Sequence, residues 1–289
     1  MKIIKYFVEA IIIYIFFFII KIIGLNNSRS LFSFIFIVIG PLIKSKKVVE
    51  ENIYRVFKNN IDNKKIIKDM WSNYGKVFAE YIYLNKFKKN SSKNGHINIK
   101  GIKVLDEVIK NKKPVIFISG HFANFELMSM ELVKKQINLA TIYRPLNNIF
   151  LNPLMEYLRK RFVCKNQIKK GVSGIRECMN YLNKNYSIAL MVDQRVSEGK
   201  RIPFFKRDAL TTTLPAQLAL KYKCDIIPVY ISRNKDNSFE MELHNPIKTS
   251  EKESSEKNKI DISLKINKII EEMILRNPGQ WIWTHNRWK

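Results

Sequence analysis

The sequence predicts an α/β fold, with a central mixed β-sheet flanked by helices and an N-terminal membrane-anchor helix in front of it. Three observations predict it. Short β-like runs alternate with helical ones through the second half of the chain, the pattern of a sheet covered by helices. Residues 3–25 are overwhelmingly apolar and long enough to cross a bilayer. At 289 residues the chain can form one large domain with a sizeable core plus a short appendage. The expected division is an anchor and interfacial helix at 1–45 and one folded domain at 46–289.

The anchor contains the run IIIYIFFFIIKII, interrupted only by Lys21, with Lys5 and Glu9 one turn apart near its start. A secretory signal is the competing reading, but no small-residue cleavage pattern follows in LNNSRSLFSF. A second apolar stretch at 31–43 is short for a span and ends in Gly40-Pro41. That predicts an interfacial or re-entrant helix, or one packed on the domain. Arg29, Lys44, Lys46 and Lys47 place more positive charge after the anchor than before it, which orients the remainder toward the cytoplasm. Residues 48–85 read as helical, because Val49, Ile53, Val56 and Phe57, then Met70, Trp71, Tyr74, Phe78 and Tyr81, recur at three- and four-residue steps. The polar turn KKNSSKNGH around Ser91 ends this region.

Strands are expected at PVIFIS (114–119), NLATIY (138–143), SIALMV (187–192) and DIIPVYIS (225–232). Helices are expected after the first strand through Leu132, near residues 151–161, and over ALTTTLPAQLALKYK. The polar stretch 248–258 reads as a surface loop, and Thr211 to Thr213 as an N-cap for the helix that follows. No dinucleotide-binding or P-loop glycine pattern is present.

The balance of 51 basic and 25 acidic residues gives a net charge of +26. Such an excess suits nucleic acid, an anionic membrane or an acidic protein, although the abundance of Ile, Asn and Lys also fits a genomic compositional bias. The apolar anchor and the lack of a recognised binding motif argue against nucleic acid as a partner. Cys164, Cys178 and Cys224 are far apart and form no C-x-x-C pair, which fits a reducing compartment. No metal or cofactor is expected from the scattered histidines His96, His121, His244 and His285.

Chemistry is concentrated in SGHFANFE, where His121 follows a strand and a glycine turn and Glu126 comes five residues later. On one continuous helix those side chains would lie roughly 140° apart, so His121 must sit in the turn before the helix that carries Glu126. So placed, one imidazole nitrogen can take a proton from an attacking hydroxyl while the other donates to the carboxylate. Spacing alone is a weak signal, since a histidine and a glutamate recur at this distance by chance. Arg159 and Arg161 offer planar donors matched to phosphate oxygens, or a solvated helix face. Asp193 follows a buried strand, where it pairs with an arginine, holds a loop or caps local backbone. Trp281, Trp283 and Trp288 with Arg287 suit either a bilayer interface or a packed hydrophobic tail.

The order of NIYRVF, MWSNYGKVFAEY, SGHFANFE, YRPLNN, LRKRF, LMVDQ, IPFFKRDALTTT, IIPVYISR and PGQWIWTHNRWK resembles the lipid A biosynthesis acyltransferases, the lauroyl and myristoyl transferases, over nearly the whole chain. The resemblance implies a glycerolipid-acyltransferase-like fold and a bacterial inner-membrane enzyme facing the cytoplasm, with residues 46–289 as its acyltransferase domain. It implies an acyl-carrier-protein thioester as donor and a phosphorylated glycolipid as acceptor. His121 and Glu126 match the family's catalytic pair, with His121 the general base supported by Glu126, while Arg144, Arg159 and Asp193 match positions for substrate binding or site support. Ala123 and Phe125 stand where the family often has Gly and Trp, and Lys206 where it has glycine after PFF. A lysophospholipid, glycerol phosphate or another envelope lipid is the alternative acceptor. Glycerolipid acyltransferases usually carry aspartate at the position of Glu126, which favours the lipid A family.

Overall fold

The computed structural model describes residues 2–43, 45–58, 61–89, 95–249 and 252–289, so most of the expected turn around Ser91 and Lys44 lie outside the described residues. Strands β1 (Ile97–Lys100), β2 (Ile116–Ser119), β3 (Leu139–Tyr143), β4 (Asn166–Lys169), β5 (Ser187–Met191), β8 (Ile226–Arg233) and β9 (Phe239–Leu243) build one sheet in the order β1-β9-β8-β2-β5-β3-β4. Neighbours run parallel except β8 and β9, so the sheet is mixed, as expected. A separate hairpin pairs β6 (Lys200–Phe204) with β7 (Arg207–Thr211).

The four strands read from sequence are β2, β3, β5 and β8. They are the central strands with an adjoining neighbour, apolar because helices cover both faces. Of the strands not foreseen in this sheet, β1 and β4 form its two edges and β9 lies next to β1. INIK of β1 and NQIK of β4 each hold at most two apolar residues, because an edge strand meets solvent along one side. Between β6 and β7 the two-residue turn places both Phe205 and Lys206 at positive φ, so Lys206 keeps the left-handed geometry for which glycine is suited. The polar segment 248–258 gives way to helix α11 (Glu256–Arg276), capped by Ser255 accepting from the Asn258 N–H; residues 250 and 251 are outside the described part.

At the front, α1 (Lys2–Ile23) is followed by α2 (Leu25–Ile43), a single 19-residue helix running through Pro41. Of the placements left open for the second apolar stretch, α2 takes the one packed on the domain, against α4 (Asn63–Glu80). Contact is close because glycines face it from both sides. A Cβ on Gly75 would sit 2.0 Å from the Phe32 carbonyl oxygen, and one on Gly40 would enter the Trp71 ring. Between them the Ser33 and Ser72 hydroxyls are 2.7 Å apart. Gly75→Ala must therefore push α2 off α4, and we expect a loss of about 1–3 kcal/mol of stability by thermal denaturation.

Arg29 does not lie free after the anchor. It is buried, with Nε 2.7 Å from Glu80, and so leaves the count of charges available to orient the chain at a membrane. Glu80, at the end of α4, also binds Arg233 from β8 and accepts from Asn124 Nδ2 at 2.9 Å. Burial opposes its ionisation, but Arg233, Arg29 and Asn124 together hold its carboxyl below the usual range.

The C-terminal tryptophans resolve as a packed tail. Trp281 and Trp283 are buried edge to face at 4.7 Å, and Arg287 donates to the Leu210 carbonyl and the Thr211 hydroxyl. Asn52, buried on α3 (Lys46–Phe57), donates to the Trp283 and His285 carbonyls and ties this tail to the N-terminal helices.

His96 is half-buried beside Phe87, its Nε2 3.6 Å from the Glu131 carboxylate, and among the described residues neither ring nitrogen has a hydrogen-bond partner. Burial, with Lys134 and Arg29 nearby, pushes it down from 6.5 to about 4. Between those values the unfolded chain binds more protons, so stability falls as pH is lowered through that window. We expect the thermal midpoint to decline over that interval and His96→Phe to flatten the decline, read by scanning calorimetry at stepped pH.

Candidate active site

Two adjacent parallel strands place the central pair. Ser119 at the end of β2 is in register with Met191 at the end of β5, so His121 and Asp193, each two residues further on, emerge side by side beyond the sheet's carboxyl edge. That edge is where open parallel sheets position ligand-binding groups. His121 Nδ1 is 2.8 Å from Asp193 Oδ1, and the His121 backbone N–H donates to Oδ2 at 2.9 Å. Trp281 Nε1 donates to the same Oδ2 at 2.8 Å. Burial alone would raise the Asp193 carboxyl, but the imidazole, the His121 N–H and the indole outweigh it and hold the group at about 2. A carboxylate on Nδ1 places the ring proton there and leaves Nε2 as the basic nitrogen.

His121 lies outside α7 (Glu126–Lys134), as the spacing required, but the imidazole's carboxylate partner is Asp193. Glu126 turns the other way. Its Oε1 accepts from Tyr81 at 2.7 Å and from Arg159 Nε at 2.8 Å, and Arg159 Nη2 is 2.7 Å from the same oxygen. Arg159 begins a π-helical turn (Arg159–Val163) after α8 (Asn152–Leu158), which swings it toward the site. Burial opposes its charge, yet Glu126 and Tyr81 raise it above the usual value. Arg161 is absent from the cavity wall, its guanidinium 5.8 Å from the Tyr157 and Phe162 rings.

A cavity of about 230 Å³ opens at this edge, lined by His121, Glu126, Arg144 and Arg159 among others. Met128, Ala189, Leu190 and Met191 supply apolar wall, and Arg144, Lys170 and Arg195 add positive charge. Among the described residues these three cations have no carboxylate within ion-pair distance, and the buried Arg195 Nε has no hydrogen-bond partner.

The site includes residues to which the sequence reading gave no role. His285 lines the cavity, accepts from the Arg195 N–H through Nε2 at 2.9 Å, and is pushed down to about 4 by burial. It belongs to the terminal block THNRWK, which the fold brings back against the β6–β7 hairpin, Arg287 bonding Leu210 and Thr211 and Trp288 the Phe204 carbonyl. Ala123 has φ +43°, a left-handed conformation that suits the glycine often found at this point of the motif, and its N–H is held by the Gln280 carbonyl.

Fold and site define an α/β protein in which the His121–Asp193 pair stands at a cavity part apolar and part cationic, preceded by two apolar helices that suit membrane association. The chain belongs to the bacterial lipid A biosynthesis acyltransferases, whose family model matches residues 1–289. It is similar to a lipid A biosynthesis palmitoleoyltransferase of Escherichia coli K12 and a lipid A biosynthesis acyltransferase of Shigella flexneri. Each is 24% identical over 256 residues, covering 86% of this chain and 80% of the relative.

Proposed function

We propose that the chain moves a fatty acyl group from an acyl-carrier-protein thioester to a hydroxyl of a phosphorylated lipid A precursor, at the cytoplasmic face of the bacterial inner membrane. The observation that carries the mechanism is His121, with Nδ1 engaged by a buried, ionised Asp193 and its ring on the cavity wall. His121 Nε2 takes the proton as the acceptor oxygen attacks the thioester carbonyl. The tetrahedral intermediate collapses, the C–S bond breaks, and the imidazolium returns the proton to the departing thiolate. Asp193 positions the ring and balances its charge. Backbone N–H groups at the start of α7 serve the oxyanion.

Glu126 fixes Arg159 in the cavity, so its part in the reaction runs through that guanidinium. Arg144, Lys170 and Arg195 bind the acceptor's phosphates and the acidic carrier. The +26 charge of the chain supports anionic partners of both kinds. Purified enzyme given acyl-carrier thioester and the glycolipid should yield a product heavier by one acyl group, and Arg144→Ala should raise KM for the phosphorylated acceptor. Transfer to a lysophospholipid with none to the glycolipid, or full activity in His121→Ala, would overturn the reading.

A further inference from the structure

We propose that α1 lies in the plane of the membrane interface, its outward face sunk into one leaflet, and does not cross the bilayer; this rests on the membrane-associated reading above.

One stripe of α1 faces protein along nearly its whole length. Ala10, Phe17 and Ile20 are buried, and Ile13 and Phe16 are partly buried against Phe32, Phe78, Tyr83 and Leu154. The contacts reach both ends. Asn148 Nδ2 donates to the Tyr6 carbonyl at 2.8 Å and the Tyr14 hydroxyl to the Phe150 carbonyl at 3.0 Å, with Phe7 edge-on to Phe150. At the other end the Tyr83 hydroxyl donates to the Ile20 carbonyl at 2.8 Å.

Tyr6 and Ile20 are about 21 Å apart along the helix. If α1 stood upright, the loop holding Asn148 and leading back to Arg144 would sit about two-thirds of the way into a hydrocarbon core roughly 30 Å thick. Polar backbone and a charged guanidinium are disfavoured there. Laid flat, the same loop stays at the headgroup level.

The opposite face fits this placement. At 100° per residue, Ile4, Val8, Ile11, Ile15, Phe18 and Ile22 cluster within roughly 60° of the outward direction, and all are exposed, Phe18 at 68%. The charged side chains Lys5, Glu9 and Lys21 fall on the flanks, roughly 80° to 120° away, beside exposed Ile3 and Phe7, and Lys2 lies further round at about 140°. By length and composition α1 also suits a span, so it is the protein contacts along its inward stripe that lay the helix flat, with the outward face sunk about 5–10 Å into a leaflet. Ile149 and Leu146, also exposed, extend the apolar surface along the loop that runs from Arg144 at the cavity wall. A lipid hydroxyl can then enter from the leaflet, past a loop that α1 itself holds.

The native cysteines are all buried, so single introduced cysteines report cleanly. In sealed vesicles with the catalytic domain outside, a membrane-impermeant maleimide should label Lys2→Cys and Lys235→Cys alike. Labelling of Lys2→Cys only after permeabilisation would overturn the proposal. Fluorophores on Ile4→Cys, Ile11→Cys and Phe18→Cys should be quenched equally by spin-labelled lipids at one shallow depth, whereas a spanning helix separates the first and last by about 21 Å. Lipid-insensitive fluorescence with stoichiometric Ile11→Cys cross-links between copies would mean a dimer covers this face, and would also overturn it. Neither readout uses acyl transfer, so the outcome is independent of the catalytic reading.

Discussion

His121→Ala is expected to lower acyl transfer by about 10²- to 10⁴-fold, the contribution of a positioned general base. Asp193→Asn should cost nearly as much while leaving KM for both substrates close to the original. Its side chain keeps its shape but no longer accepts from the imidazole, the His121 N–H and the Trp281 indole as an anion. Glu126→Gln should also lower activity, by a different route, because it releases Arg159. Double-mutant cycles separate the two routes, since groups that act as a unit are non-additive. His121 and Asp193 are expected to couple with each other, and Glu126 with Arg159. Strong coupling of Glu126 to His121, with Asp193 additive to both, would restore the pairing expected from sequence.

Glu80→Leu is expected to destabilise the fold by about 3–5 kcal/mol, because it strands two buried guanidiniums without a counter-charge. For a chain of this size that lowers Tm by on the order of 10 °C. The loss has a catalytic echo, since Asn124 belongs to the His121 loop and donates to Glu80. In the triple variant Glu80→Leu, Arg29→Met, Arg233→Met much of the stability should return, because an apolar replacement of a whole buried ion cluster is often neutral or better. Thermal denaturation of the set measures it. A Tm unchanged in Glu80→Leu would show that the cluster is solvated and contributes little.

The strands read from sequence are those whose burial is nearly complete. PVIFIS, SIALMV and DIIPVYIS are continuous apolar runs because both faces of their strands are covered, and such runs stand out in a linear scan. The edge strands β1 and β4, and the amphipathic α6 (Ile102–Asn111) and α9 (Val172–Asn183), bury one side only and blend with the polar segments around them. The tail was ambiguous for another reason. A cluster of tryptophans has the same composition whether it meets lipid or a core, and the contacts of Trp281 with Asp193 and of Arg287 with Thr211 decide for the core.

The α/β class, the apolar front of the chain and the position of His121 ahead of the helix of Glu126 are legible in the chain itself. Those follow from local propensity, hydropathy and helical geometry, which act over a few residues. The pairing of His121 with Asp193, 72 residues away, and of Glu126 with Arg159 comes from the fold. The reason is strand register: β2 and β5 are neighbours although β3 and β4 lie between them in the chain, and alignment of Ser119 with Met191 brings the two following side chains together.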